Sequence, residues 1–201
     1  VALSALENDM WNPETKIRCK GYIDFYDQKY HCWKKRGHGI INMRTAIKRS
    51  CDVYFYEVAR KLGVDRLAKT AEKFGLGQNV LTDFPEEKVG VVPNTKWKLN
   101  TIGKNWYIGE TLHTGIGQGY FLTTPLQLCL MTAQLANGGY EIKPRLVIEN
   151  KEEFSLKDFT FNNTDRYRKP LFRNQENINF VKDAMFASSN EPGGTSYGSR
   201  L

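Results

Sequence analysis

The sequence predicts an α+β domain in which helices outweigh strands, and three observations carry that prediction. Capped segments with helical apolar spacing recur along the chain, one aromatic stretch reads as a β-hairpin, and a long glycine-marked region divides the helical segments. With 201 residues, 40% of them hydrophobic and 12% aromatic, the chain is long enough for one substantial core and short for two. A single unit spanning residues 1–201 is expected.

Taken in order, Val1-Ala2-Leu3 and Ala5-Leu6 read as the tail of an amphipathic helix entered partway and ending near Glu7, as expected of an excised piece of a longer chain. Asn12-Pro13 opens a turn-rich aromatic segment, a small β excursion over about 12–37. Tyr22-Ile23-Asp24-Phe25-Tyr26 and Lys29-Tyr30-His31-Cys32-Trp33, separated by Asp27-Gln28, predict its hairpin. Asn42 is placed to cap a helix through about Arg49, and Ser50 or Asp52 to cap a second that reaches Leu62 and stops at Gly63. A third helix is expected from Asp65 to Phe74. The stretch from Leu76 to Thr123 reads mostly as loops, the usual carriers of function on a compact scaffold.

Thr124-Pro125 is a helix start and Asn137-Gly138-Gly139 its stop, and the apolar residues between them predict a central helix with a buried Cys129. Tyr140 to Ile148 reads as a strand interrupted by Pro144, which favours an edge or a bulge. An elaborated surface hairpin is expected over about 149–173, then a last helix capped by Asn174 and running to about Ser188.

Composition narrows the function classes. No run approaches the 18 or more apolar residues of a membrane span, and the first residues lack the charged head and apolar stretch of a signal peptide. The net charge of +7 is scattered, its densest cluster being Lys34-Lys35-Arg36, and no nucleic-acid-binding motif stands beside it, so nucleic acid is not an expected partner. Gly115-Ile116-Gly117-Gln118-Gly119-Tyr120 looks superficially like a phosphate loop but lacks the Lys-Ser/Thr that such a loop needs.

Six features occur in a telling order: Gly37-His38-Gly39, Ser50-Cys51-Asp52-Val53-Tyr54-Phe55-Tyr56, Phe74-Gly75-Leu76-Gly77, Gly115-Ile116-Gly117-Gln118-Gly119-Tyr120, Thr124-Pro125-Leu126-Gln127 and Ala136-Asn137-Gly138-Gly139. In order and spacing they resemble the transpeptidase domain of class B penicillin-binding proteins of the elongation type. The resemblance implies the serine β-lactamase and penicillin-recognising fold, here truncated at both ends. It further implies a peptidoglycan D,D-transpeptidase on the periplasmic face of the inner membrane. Stem peptides and β-lactams would be its ligands, and a membrane-embedded cell-wall glycosyltransferase its partner. In that family a Ser-x-x-Lys serine attacks a D-alanyl-D-alanine stem peptide, and an amine of a neighbouring stem releases the acyl-enzyme. Ser50 and Asp52 match the family's second motif, Ser-x-Asn/Asp, which supplies a relay hydroxyl and holds the lysine and the substrate amide. Gln118, Gly119 and Tyr120 are implied to touch substrate. Neither Ser-x-x-Lys nor Lys-Thr/Ser-Gly occurs in the 201 residues, so no nucleophile is assigned and this stretch alone is expected to be inactive. A catalytically inactive module that binds stem peptides or a glycosyltransferase is the alternative, and a serine β-lactamase a third.

Cys19, Cys32, His38 and Cys51 have irregular separations, unlike a finger's paired Cys-x-x-Cys. A hairpin would nevertheless bring 19 and 32 together, with His38 and Cys51 flanking a short helix beside it. Some members of the resembled family hold a metal in this region through Asp, His and Cys, with Cys19 and Cys32 standing where the Asp ligands lie, so the resemblance implies a structural zinc on these four residues. A Cys19–Cys32 disulfide is the competing expectation, reasonable in an oxidising compartment.

Overall fold

In the computed structural model the described residues are 1–81, 84, 86–144 and 169–199. Around a central helix α3 (Asp52–Leu62) are set α1 (Ala2–Glu7), α4 (Val64–Lys73) and α6 (Ile108–Gly115), while α2 (Met43–Lys48) packs on α8 (Gln175–Asn190). Val53, Tyr54, Val58 and Leu62 of α3 are fully buried. Gly115 lets α6 lie directly on α3, because a Cβ there would stand 2.4 Å from the Ala59 Cβ. Tyr54 also orders the chain before the strands, accepting from Trp11 Nε1 at 2.8 Å and donating to the Thr15 carbonyl at 3.0 Å.

All six residues of α1 are buried, Glu7 included. The Glu7 carboxylate accepts from the Arg173 and Asn174 amides at 2.8 and 3.3 Å and from Asn177 Nδ2 at 2.7 Å. A buried acid thus finds its donors at the start of α8, where the free N–H groups and helix dipole favour negative charge.

The β excursion forms two antiparallel ribbons. β1 (Ile17–Cys19) pairs with β4 (Gly39–Ile41) in the register Ile17↔Ile41 and Cys19↔Gly39, and β2 (Tyr22–Phe25) pairs with β3 (Gln28–His31) in the register Tyr22↔His31. The hairpin turn is Tyr26-Asp27, one residue earlier than expected. Phe25 pairs with Gln28, and Tyr26 takes the positive φ (49°) that a two-residue hairpin loop asks for.

Three of the expected caps hold, at Asn42, Thr124 and Asn174. Asn42 accepts from the Thr45 amide, Thr124 from Gln127 and Asn174 from Glu176. Two expectations are corrected. The region 76–123 contains two helices, α5 (Thr95–Ile102) and α6, the first capped by Asn94 and closed by Gly103 in the left-handed region. Their apolar pattern is interrupted because a buried position of α5 holds Lys98, paired with Glu110 of α6 at 2.5 and 2.7 Å. α7 (Pro125–Ala136) is not central among the described residues, with Leu128 45% exposed and Cys129 exposed. Its buried polar side chains are Gln127 and Gln134, which donate to the carbonyls of Gln78, Val89 and Phe74 and so tie down the chain after α4. Tyr140 makes a single antiparallel bridge to Pro170. Most of the expected hairpin at 149–173 lies outside the described residues.

Candidate functional site

The turn from α2 into α3 sends three consecutive side chains in three directions. Ser50 has φ +50°, a left-handed conformation costing a non-glycine residue roughly 1–2 kcal/mol. Neither Ser50 nor Asp52 caps α3: the cap position is Cys51, with no side-chain cap bond, and Asp52 is the first helical residue. Both side chains are engaged elsewhere. Ser50 Oγ lies 2.8 Å from Thr195 Oγ1, and Asp52 Oδ2 accepts the Trp33 backbone N–H at 2.8 Å.

These two residues open onto different cavities. Ser50 lines one of about 590 Å³ with Trp33, His38, Arg49, Gly194 and Thr195. Asp52 lines one of about 500 Å³ with His31, Tyr56, His113 and Gln118. Trp33 borders both, and its indole N–H donates to the Arg49 carbonyl at 3.1 Å, just before Ser50. Of the glycine-loop trio, Gln118 reaches the Asp52 cavity. Gly119 holds the loop turn at φ +81°, and Tyr120 packs instead on Trp97 and Trp106, with ring centroids 5.4 and 6.4 Å away.

Between the cavities, Cys51 turns inward to Cys19, Cys32 and His38. All four residues are buried and their ligand atoms lie within 4.8 Å of one another. Three local facts assemble them. Cys19 pairs with Gly39, which delivers His38; the Cys32 amide donates to the Gly21 carbonyl at 2.8 Å, which closes the hairpin base on Cys19; and α3 starts beside both. His38 Nδ1 is 3.7 Å from Cys19 Sγ and 3.5 Å from Cys32 Sγ. Tetrahedral zinc, with Zn–S of about 2.3 Å and Zn–N of about 2.0–2.1 Å, places sulfur and nitrogen about 3.6 Å apart. The residues present therefore fit a three-thiolate, one-imidazole zinc ion. No disulfide joins Cys19 to Cys32 in this structure.

Burial pushes the Cys32 and Cys51 thiols up from their ordinary range, and for Cys51 the neighbouring cysteines add to it. Burial, then the cationic Lys34 and Arg49, lower His38. A neutral imidazole suits ligation, whereas the thiols must lose protons to bind metal. His38 Nε2 is buried without a hydrogen-bond partner among the described residues, and the Trp33 ring stands edge-on 5.5 Å from the imidazole.

One functional candidate, Thr195, and the specific role of a second, Trp33, are not legible in the sequence. Thr195 sits in a glycine loop that offers no motif of its own, and Trp33 grips the Ser50–Asp52 turn through its amide and indole, contacts that no spacing announces.

The family described as "Penicillin binding protein transpeptidase domain" matches residues 1–200. The peptidoglycan D,D-transpeptidase MrdA of Acinetobacter baumannii is 43% identical over 164 residues, 81% of this chain and 24% of that protein. A penicillin-binding protein, PBP2, from Helicobacter pylori superposes with a TM-score of 0.84 at 34% identity, covering 99% of this chain and 35% of that one. A complex of PBP2 with MreC, also from Helicobacter pylori, gives 0.83 at 34% identity over 98% of this chain and 35% of that one. The chain thus spans about a quarter to a third of the length of these relatives. Among the described residues no helix is long and apolar enough to cross a membrane. With the match running from Val1 to Arg200 and the fold shared at that level, the chain belongs to the penicillin-binding protein transpeptidase domain family.

Proposed function

We propose that these residues form the Ser-x-Asp wall of a peptidoglycan D,D-transpeptidase that acts at the periplasmic face of the inner membrane and binds β-lactams at the same cleft. Family membership over residues 1–200 supports this, and the observation that carries it is the pairing of Ser50 and Asp52 on one turn, each facing a cavity. In this reading the Ser50 hydroxyl relays a proton during acyl transfer, and the Asp52 carboxylate, oriented by the Trp33 amide, holds the catalytic lysine and the substrate amide. The nucleophile belongs to a part of the protein outside the 201 residues. Gln118, Gly119 and Tyr120 line the substrate path, with Gln118 nearest to Asp52.

A structural zinc on Cys19, Cys32, His38 and Cys51 belongs to the same proposal. When bound, it would staple the β excursion to the start of α3 and fix Cys51 between the two motif residues. A membrane-embedded cell-wall glycosyltransferase is the expected partner, and the MreC complex of the relative makes an MreC-like scaffold a second.

The test is covalent labelling of the intact protein by a fluorescent penicillin, with zinc measured on the same sample. Stoichiometric labelling that falls at least about a hundredfold in rate with Ser50→Ala supports the reading. An intact protein that is never labelled, yet binds stem peptide, would make this an inactive binding module.

A further inference from the structure

The side chain that meets Ser50 is Thr195, 145 residues later in the chain. Its Oγ1 lies 2.8 Å from Ser50 Oγ, 3.1 Å from Ser188 Oγ and 3.4 Å from the Lys48 carbonyl oxygen. The Thr195 amide donates to that same carbonyl at 3.1 Å. Thr195 therefore closes against the last turn of α2, two residues before Ser50.

The segment that carries Thr195 is held in place independently. Glu191 accepts from Arg44 and Lys48 of α2 at 2.6 and 2.7 Å, and Arg44 also pairs with Asp183 of α8 at 2.6 Å. The Ser196 amide donates to the Ser188 carbonyl at 3.1 Å. Gly194 lies so close to the end of α8 that a Cβ would stand 2.1 Å from the Ser188 carbonyl oxygen, so only glycine lets the loop sit there. Charge pairs, backbone bonds and a glycine contact thus converge to present one hydroxyl to Ser50.

Ser50 needs such a partner. It stands at φ +50° on the rim of a cavity, and no cap bond of its own fixes the side chain. We infer that Thr195 is a positioning residue for Ser50: its hydroxyl holds Ser50 Oγ in the orientation that faces the cavity shared by Trp33, His38 and Thr195. Thr195 does not touch the reacting atoms in this account. It acts through Ser50, and the inference rests on the proposed role of Ser50 as the relay hydroxyl.

The test compares acylation rates of the intact protein by a fluorescent penicillin, with zinc content and melting temperature as checks of folding. Thr195→Val and Thr195→Ala both remove the hydroxyl and should slow acylation about five- to tenfold, the scale of one lost hydrogen bond at a positioned group. Thr195→Ser should restore the rate to within about twofold. A purely structural role would not give the decisive readout, which is the absence of any further loss when Thr195→Val is added to Ser50→Ala. Either hydroxyl-free variant within about twofold of the parent, or the same loss on the Ser50→Ala background, overturns the inference. If Ser50→Ala itself leaves acylation unchanged, the proposed role of Ser50 falls and takes this inference with it. A loss with Ser50→Ala but none with the Thr195 variants removes Thr195 alone.

Discussion

Two neighbouring glycines separate conformational strain from loss of the proposed metal site. Gly37 and Gly39 flank His38 at nearly the same φ, +75° and +76°. An alanine at either therefore carries the same left-handed penalty, about 1–2 kcal/mol. Their surroundings differ. A Cβ at Gly37 would stand 2.1 Å from the Cys19 carbonyl oxygen and 2.6 Å from the Gly21 amide nitrogen, whereas one at Gly39 meets nothing within 4 Å. Restoring normal contact after Gly37→Ala requires the loop carrying His38 and the strand carrying Cys19 to part by roughly 1 Å, since a packed backbone has no slack to absorb the overlap. Metal–ligand distances tolerate only about 0.2 Å, so the displacement is several times what the site can accept. It falls between the two ligands concerned. The intact protein with Gly37→Ala should therefore retain little or no zinc by elemental analysis, with its thiols quickly titrated, while Gly39→Ala keeps its zinc and loses only a modest margin of stability. Zinc held as tightly in Gly37→Ala as in the parent, or lost equally in both variants, would refute the reasoning.

Three further outcomes follow from single contacts. Glu110→Gln leaves the Lys98 ammonium, 2% exposed, without its charge partner, and should lower unfolding free energy in urea by about 3 kcal/mol, the scale of a broken buried pair. Glu191 is held at about 2, below its usual 4.5, first by hydrogen bonding to Arg44 and then by Lys48. A depressed carboxylate adds stability above its unfolded value and loses it as pH falls through its folded value, so the melting-temperature gap between the parent and Glu191→Gln should be full at neutral pH and close between pH 4.5 and about 2. Trp33→Phe keeps the amide bond to Asp52 and deletes only the indole bond to the Arg49 carbonyl, so stability should change by less than about 1 kcal/mol while penicillin acylation slows measurably.

What could be read from the sequence was what short-range chemistry dictates. The caps at Asn42, Thr124 and Asn174, and the glycine stop after Leu62, need only neighbours two to four residues away. The grouping of Cys19 with Cys32 was readable because the two flank the hairpin, whose base closes through the Cys32 amide and the Gly21 carbonyl even though the turn falls one residue earlier than expected. His38 is delivered by the β1–β4 pairing and Cys51 by the start of α3. α5 and α6 were hidden because Lys98 and Glu110 satisfy each other inside, where an apolar residue would have marked the helical face. The β1–β4 pairing was hidden too, since three residues apiece give no periodicity to read. Cys129 was misplaced because apolar composition does not say which face of α7 is covered, and its glutamines take two of the buried positions.

The arrangement of Ser50, Cys51 and Asp52 gives a reason for a metal knot to sit beside the proposed Ser-x-Asp motif. Ser50 takes φ +50° and Cys51 an extended φ of −82°, so successive side chains diverge rather than share a face. Ser50 meets Thr195, Asp52 meets the Trp33 amide, and the residue between them points to the buried cluster. Trp33 itself follows Cys32, a second member of that cluster. The turn is therefore gripped at Cys51 from within and at Asp52 through the neighbour of Cys32. Without a fixed cluster, both grips would depend on two-stranded ribbons, which are marginal on their own. Cross-linking the four side chains through one ion would make the positions of the Ser50 hydroxyl and the Asp52 carboxylate depend on each other. Removing zinc from the intact protein should then impair acylation through both residues together, so that Ser50→Ala and Asp52→Asn cost less in the metal-free protein than in the metal-bound one. Equal costs in the two forms would show that the knot supports the fold without setting the motif.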